Sequence, residues 1–181
     1  MARGAASTGS YRLAGADPSG SRSGRAADRI AYPHGVTESP AMLDPALQAR
    51  LLERVAKIPI VPKLGMEFVA WAEGSCTMRV PYDPSFDGVF ESFHGGILMT
   101  IADSAACFAV MTLTGPDQVL TTTDMNIRFL APCLSAVTVT ARVVKLGRTM
   151  VPVTVDLFDA TQRHIALAQV NYIRLAAMPK R

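Results

Sequence analysis

One aspartate in an apolar segment is the residue of this chain whose type and position most clearly suggest chemistry. The segment from Ile97 to Met111 is apolar on every side, and Asp103 is the only acidic or basic side chain inside it. A helix that is apolar all round is a buried helix. Burying a lone carboxylate is costly unless it is hydrogen-bonded, paired or protonated, so a helix built only for packing would carry Ala or Leu here. Asp103 is therefore the first candidate for a functional residue, and the alternative is that it caps a neighbouring loop.

The second candidate is the pair of glycines that opens the same segment, in the order His94-Gly95-Gly96. At a helix N-terminus the first N–H groups have no intrahelical acceptor and lie at the positive end of the helix dipole. Without side chains in the way, such a start suits an oxyanion. The alternative is that the glycines only allow a tight turn or close packing of the helix on a sheet.

The spacing of these two candidates limits how they could cooperate. Eight residues separate Gly95 from Asp103, which is about 12 Å along a helix axis. One reacting carbon cannot contact both groups of the same chain. If they serve one reaction, they must come from two subunits whose helices run antiparallel across a two-fold axis, which gives two equivalent sites per dimer.

The elements that must position these residues follow from periodicity. Asp44-Pro45 is an N-cap followed by a proline at the first helical position, and it predicts an amphipathic helix that Pro59, Pro62 and Gly65 end. Beyond Gly115-Pro116 the period changes from helical to two. The predicted strands are 67–71, 76–81, 121–129, 137–145, 150–158 and 165–174. With too few helices for a doubly wound parallel sheet, the pattern favours an α+β fold with an antiparallel sheet on a central helix.

Two details of the predicted strands bear on the site. Strict alternation places Thr121, Thr123, Met125, Ile127 and Phe129 on one face and Thr122 on the opposite face. Pro152 cannot donate to a ladder, so it predicts an edge or a bulge within its strand.

Composition excludes several classes of protein. The net charge of +3 leaves +1 outside residues 1–41, so no basic face is predicted for nucleic acid. The apolar segment at 97–113 is short for a bilayer span and would leave Asp103 in hydrocarbon, so no membrane insertion is expected. Cys76, Cys107 and Cys133 indicate neither a disulfide framework nor a metal site, and they are consistent with a reducing cytoplasm. Residues 1–41 are rich in Gly, Ser, Ala and Arg and are predicted to be a disordered tail before a domain at 42–181.

The motifs resemble the PaaI-like branch of the hotdog-fold thioesterases. The matching segments are His94-Gly95-Gly96 with Asp103 nine positions after the histidine, the small-residue segment 102–106, the strand segment 122–132 and the strand-turn 144–149. The resemblance implies a hotdog fold, in which an antiparallel sheet of five to six strands wraps around one long central helix. It also implies hydrolysis of an acyl- or aryl-acyl-CoA to free acid and CoA, without a metal or organic cofactor, in a homodimer or a dimer of dimers.

The resemblance also assigns roles to the catalytic candidates. The N–H of Gly95 takes the place of the group that polarises the thioester carbonyl, and Asp103 takes that of a general base or of a nucleophile that forms a transient anhydride. Thr122 matches a hydroxyl that helps to hold the water or the carboxylate, and its alternative is a threonine chosen for β propensity. His94 is expected to orient the loop or to hydrogen-bond near the carbonyl, with a structural role as the alternative.

Binding residues follow from the same resemblance. The acyl pocket is expected at Phe93, Met99 and Phe90, and Gly96 is expected to be a further substrate-binding residue. CoA recognition is expected at two segments, 129–134 and 145–150. The residues singled out are Phe129, Leu130 and Pro132 on the first segment and Lys145, Gly147, Arg148 and Thr149 on the second. Lys145 and Arg148 are suited to phosphate because a charge-assisted contact is stronger than a neutral hydrogen bond; the alternative is a pair of solvated cations on a hairpin.

One position departs from the family. Related sequences usually have Asn or Gln six positions before the histidine, where the amide helps to position water, whereas this chain has Gly88. Asp87 or Glu91 could substitute, or the role could be absent. The departure keeps open a second function, a non-catalytic hotdog that binds acyl-CoA as a sensor or scaffold. A third, a hydratase or dehydratase, would need a His paired with Asp or Glu in a different motif.

Overall fold

The structure is a computed structural model that describes residues 42–177. Its helices are α1 (Pro45–Val55), α2 (Ile60–Lys63) and α3 (Gly95–Thr114). Its strands are β1 (Glu67–Ala72), β2 (Ser75–Val80), β3 (Val119–Phe129), β4 (Val137–Val143), β5 (Met150–Phe158) and β6 (His164–Leu175). The predicted tail at 1–41 lies outside the described residues, as do 178–181.

The strands form one antiparallel sheet in the order β1-β2-β4-β5-β6-β3. α3 packs against the inner face of the sheet and contacts all six strands. The predicted α+β hotdog, with a sheet of five to six strands around one long helix, is confirmed. β3 and β1 are the two edge strands, so the outer edge of β3 has no partner within residues 42–177.

Helix α3 is the core of the domain. It begins after His94 and ends at Gly115, whose φ of 79° lies in the left-handed region that favours glycine. By length and composition α3 could cross a membrane, and no other described helix could. Its buried side chains instead pack on alternate residues of β4 and β5, such as Val139 and Val153, which are fully buried. Its apolarity therefore reflects burial within the sheet.

A β-bulge in β3 corrects the predicted facing of Thr122. Thr122 pairs with Tyr172 and Asp124 pairs with Asn171, so Thr123 is an extra residue on β3. The extra residue reverses the alternation, so Thr122 lies on the same inner face as Met125, Ile127 and Phe129. The prediction that Thr122 faces away from Met125 is wrong because strict alternation cannot include a bulge.

Two other expectations need correction. β5 carries Pro152 yet lies between β4 and β6, so the predicted edge or bulge at this proline is wrong. The carbonyl of Pro152 accepts from the N–H of Val144, which lies just past the last residue of β4. The N–H that proline lacks is therefore missing only where the ladder between β4 and β5 has ended. In addition, residues 60–63 form the short α2 where only helix-breaking residues were expected. The predicted α1, capped by Asp44 through the N–H of Leu47, is confirmed.

Candidate active site

Asp103 lies at the centre of a group of hydroxyls on the inner face of the sheet. The hydroxyl of Thr122 donates to Asp103 Oδ1 at 2.8 Å, and the hydroxyl of Tyr172 lies 2.7 Å from the same oxygen. Thr122 and Tyr172 are cross-strand partners on β3 and β6, which places their side chains next to each other over α3. The carboxylate is half-buried. Its Oδ2 has no hydrogen-bond partner among residues 42–177, so one oxygen is held and the other is open.

The start of α3 leaves one backbone donor unused. His94 is the N-cap, and its Nδ1 accepts from the N–H of Gly96 at 2.9 Å. The N–H groups of Ile97 and Leu98 both donate to the carbonyl of His94. The N–H of Gly95 has no acceptor within the described part of the chain. It is therefore a free donor at the positive end of a 20-residue helix.

His94 acts as a cap in this arrangement. Its Nδ1 accepts a hydrogen bond, so the proton of the neutral ring is on Nε2. Its own N–H donates to the carbonyl of Phe86, which ties the preceding loop to the helix. The geometry agrees with the structural alternative considered for this residue.

A cavity of about 430 Å³ opens beside the free N–H. Its lining includes Gly95 and four residues expected from the sequence, and the expected four are Phe93, Phe129, Leu130 and Pro132. Ala131 and Cys133 also line it and belong to the predicted segment 129–134, whereas Ser92 and Leu98 were not expected from the sequence. The ring of Phe129 lies 3.1 Å from where a Cβ on Gly95 would be, so the ring approaches the helix start closely because residue 95 is glycine. The cavity exposes polar as well as apolar atoms, and its size suits a small ligand.

Two residues expected at the acyl pocket are absent from this lining. Phe90 is 89% exposed at the tip of its loop, and Met99 is half-buried on α3. Gly96 follows Gly95 in the first helical turn, with its N–H already bonded to His94. The pocket of a single chain is thus smaller than the sequence suggested.

Asp103 and Gly95 remain apart within one chain. Both lie on the straight α3, separated by the same eight residues and about 12 Å. Neither Asp103 nor Thr122 lines the cavity that contains Gly95. A single chain therefore keeps the two candidate groups apart.

The hairpin with the predicted phosphate-binding cations forms a third group. Arg174 donates from its guanidinium to the carbonyl of Gly147 and from its N–H to the carbonyl of Thr149. The same guanidinium donates to the side-chain oxygen of Gln118, next to the Val119 end of β3. The cavity lies at the Phe129 end of that strand, about 33 Å away for ten residue steps. Lys145 and Arg148 on this hairpin are exposed. Because the hairpin and the cavity lie at opposite ends of β3, the two predicted CoA-binding segments are far apart within one chain.

The site of the missing amide is open. A Cβ on Gly88 would lie 3.5 Å from Cδ2 of His94, an ordinary contact, so a side chain there would lie beside the histidine. Of the two candidate substitutes, Asp87 has a buried Oδ1 with no hydrogen-bond partner among the described residues. The Oδ2 of Asp87 accepts from the hydroxyl of Tyr82 at 2.6 Å, a bond that raises the pKa of Tyr82 to about 12. Glu91 is exposed, with a φ of 52°.

Tyr172 is the residue at this site that sequence reasoning missed. It is 2% exposed, and burial raises its pKa far above the usual range, so its hydroxyl keeps its proton. Its only sequence signal is the alternation of β6, which predicts a core ring and says nothing about its hydroxyl.

Comparison with known proteins agrees with this geometry. A family model described as the thioesterase superfamily matches residues 90–166, a segment that contains Gly95, Asp103, Thr122 and the 145–149 hairpin. The chain is thus similar to the thioesterase superfamily over this segment. Its fold is the hotdog.

Individual relatives and solved structures are also similar to this chain. The chain is 29% identical to mouse acyl-coenzyme A thioesterase 13 over 115 residues, which cover 62% of this chain and 73% of the mouse protein. It is 28% identical to a putative esterase of Saccharolobus solfataricus over 99 residues, 54% of this chain and 69% of that protein. The Escherichia coli PaaI structure superposes with a TM-score of 0.67 at 19% identity, covering 73% of this chain and 95% of PaaI. A thioesterase family protein from Silicibacter pomeroyi gives 0.67 at 25% identity, covering 72% and 99%.

Proposed function

We propose that this protein is an acyl-CoA thioesterase of the thioesterase superfamily, whose active site forms between two copies of the domain at 42–181. In each site the N–H of Gly95 from one subunit binds the thioester carbonyl, and the carboxylate of Asp103 from the other carries out the chemistry. One observation carries the proposal. The unused N–H of Gly95 and the open Oδ2 of Asp103 are complementary groups, and α3 keeps them about 12 Å apart in the same chain.

The free edge of β3 supports a pairing of two chains that would join these groups. An 11-residue edge strand presents unpaired N–H and C=O groups, which favour pairing with another strand. If β3 pairs antiparallel with its own copy, the Phe129 end of one strand meets the Val119 end of the other. The Asp103 group and the 145–149 hairpin of one subunit would then approach the cavity of the other. We favour this pairing because it brings together the Gly95 cavity, the Asp103 group and the 145–149 hairpin, which are separate within one chain.

The reaction would proceed by acyl transfer to water. The N–H of Gly95 stabilises the negative charge that develops on the carbonyl oxygen as the carbon becomes tetrahedral. Asp103 Oδ2 either takes a proton from water, whose oxygen adds to the carbon, or attacks the carbon itself to form an anhydride that water then opens. In both routes the C–S bond breaks, the CoA thiolate leaves and takes up a proton, and the free acid remains. Thr122 holds Oδ1 in either case.

Binding of CoA would use the other two groups. The cavity beside Phe93 and Phe129 would receive the acyl chain, which the two rings would contact. Lys145 and Arg148 on the hairpin would contact the phosphates of CoA, where guanidinium and ammonium groups form charge-assisted hydrogen bonds. Arg174 would support this role indirectly, since it holds the hairpin through Gly147 and Thr149.

Location in the cytoplasm is part of the proposal. The three cysteines are unpaired, and Cys76 and Cys133 are buried, so the described domain does not depend on an oxidising compartment.

The second candidate function is binding of acyl-CoA without hydrolysis. The observation that favours it is Gly88, which leaves the space beside His94 without the amide that related sequences carry. A sensor or scaffold would keep the cavity and the hairpin but would lack turnover.

Release of free CoA thiol from a panel of acyl- and aryl-acyl-CoA substrates separates the two functions. We expect turnover with at least one substrate, and we expect Asp103→Asn to lower kcat at least a hundredfold, because the amide is neither a base nor a nucleophile. Asn is nearly isosteric, so circular dichroism and gel filtration should match the wild type. Wild-type turnover in Asp103→Asn would overturn the assignment of Asp103. Binding of acyl-CoA without thiol release across the panel would select the second function.

A further inference from the structure

We propose that Tyr172 is a positioning residue that, together with Thr122, binds Oδ1 of Asp103 and so determines that Oδ2 is the oxygen that reacts. This inference rests on the proposed function and adds a residue to it. Tyr172 lies beyond the segment matched by the family model, which ends at residue 166.

The first step of the argument is the double contact of one hydroxyl. The oxygen of Tyr172 lies 2.7 Å from Oδ1 of Asp103 and 2.7 Å from the backbone carbonyl oxygen of the same residue. A tyrosine hydroxyl has a single proton, which these two acceptors share. Because one acceptor is on the side chain and the other on the backbone, the contact fixes the side chain of Asp103 relative to its own helix.

The second step is the asymmetry of the carboxylate. Thr122 approaches Oδ1 from β3 at 2.8 Å, next to Tyr172 from β6. Two hydroxyls therefore converge on one oxygen, while Oδ2 has no hydrogen-bond partner among the described residues. A carboxylate that rotated freely would present either oxygen. Here rotation would break two hydrogen bonds to an ionised group, each stronger than a neutral one.

The third step concerns the titratable groups around Asp103 and Tyr172. Cys107 lies one turn after Asp103 on α3, and burial raises its pKa to about 12, so it is a neutral thiol. The positive charge of Arg54 on α1 acts in the opposite direction on the pKa of Cys107, but burial outweighs it. Tyr172 is almost fully buried and its pKa is raised far above the usual range, so it is a hydroxyl donor at neutral pH. Oδ1 thus has its two hydrogen-bond donors in Thr122 and Tyr172.

Replacement of Tyr172 by Phe tests this role because it removes only the hydroxyl and keeps the buried ring. In the full-length protein we expect kcat for the best acyl-CoA substrate to fall about tenfold, with KM within about twofold, since Thr122 still holds Oδ1. Loss of a donor to the ionised carboxylate should also move the acid limb of the kcat profile to higher pH. A purely structural role would not produce that movement.

Tyr82→Phe is the matched control. It removes another hydroxyl that donates to an aspartate, Asp87, and likewise keeps the ring. We expect its kcat to stay within about twofold of wild type, with the acid limb in place. Should Tyr172→Phe unfold, 3-fluorotyrosine placed at position 172 is the second test. It keeps the hydroxyl as a stronger donor and should move the acid limb to lower pH.

The outcomes separate this inference from the function on which it rests. An active wild type with a tenfold slower Tyr172→Phe and a displaced acid limb supports it. An active wild type with unchanged kcat and acid limb in Tyr172→Phe, or with an unmoved acid limb in the fluorotyrosine protein, overturns the role of Tyr172 alone. A wild type that releases no thiol from any substrate in the panel overturns the proposed function, and this role with it.

Discussion

Replacing Gly95 by proline removes one hydrogen-bond donor from the proposed site and leaves the helix start intact. Gly95 is the first residue of α3, where an N–H has no intrahelical acceptor, and proline is well tolerated at that position. The residue before a proline must be extended, and His94 already has φ −59° and ψ 131°. The other donors of the first turn, on Gly96, Ile97 and Leu98, keep their bonds to His94.

The size of the effect follows from the role given to this N–H. Removing one donor to a developing oxyanion lowers kcat by about 10² to 10³, or ~2.7–4 kcal/mol of transition-state stabilisation. The new ring also brings a Cβ to 3.1 Å from Phe129. Phe129 is 50% exposed, so its ring can shift by a few tenths of an ångström at small cost. The electrostatic loss should therefore exceed the steric one.

Gly95→Ala is the control that separates these two effects. It adds the same Cβ against Phe129 and keeps the N–H. In a thiol-release assay under saturating acyl-CoA, we expect the alanine variant to retain at least tenfold more kcat than the proline variant, with both melting near the wild-type temperature. Equal kcat for the two variants would refute the role of the Gly95 N–H and would assign any loss to crowding of the cavity.

Two further predictions concern the elements that support the site. Gly147→Ala places a Cβ in a clash with the backbone carbonyl oxygen of Met150, so the hairpin must move. We expect a loss of about 1–3 kcal/mol in the free energy of unfolding and a higher KM for acyl-CoA, and an unchanged melting temperature would contradict the steric argument. At the β5–β6 turn, the hydrogen bond from the Thr161 hydroxyl is the largest cause that holds the pKa of Asp159 below its usual range. The ionised carboxylate therefore stabilises the fold above about pH 4, and this contribution is lost as the pH falls through the lowered pKa. Asp159→Asn should thus melt below wild type at pH 7 by a margin that shrinks under acid, and a margin independent of pH would contradict the assignment.

Much of the fold could be predicted because its signals are local. The run of apolar residues after His94-Gly95-Gly96 identifies a buried helix, and the change of period after Gly115 identifies the strands that follow. Asp44 and the proline after it mark the start of α1. These features need no knowledge of long-range contacts, so they appear in the sequence and recur in the structure.

The parts that the sequence did not predict depend on pairing between distant segments. The bulge at Thr123 turns Thr122 towards Asp103, and it is visible only in the register of β3 on β6. The hydroxyl of Tyr172 reaches Asp103 across 69 residues of sequence, and its buried ring gave no sign of a polar role. The position of Pro152 inside the sheet depends on where β4 ends. Periodicity describes one strand at a time, so it is silent on all three.

Subunit complementation tests most directly whether the site is shared between two chains. Asp103→Asn and Gly95→Pro are each expected to be nearly inactive alone, and co-expressed in equal amounts they should form mixed dimers with one intact site. Random pairing would then restore about a quarter of wild-type thiol release, since half of the dimers are mixed and one of their two sites is complete. Activity in the mixture no higher than in the two separate variants would show that Gly95 and Asp103 do not act together across subunits.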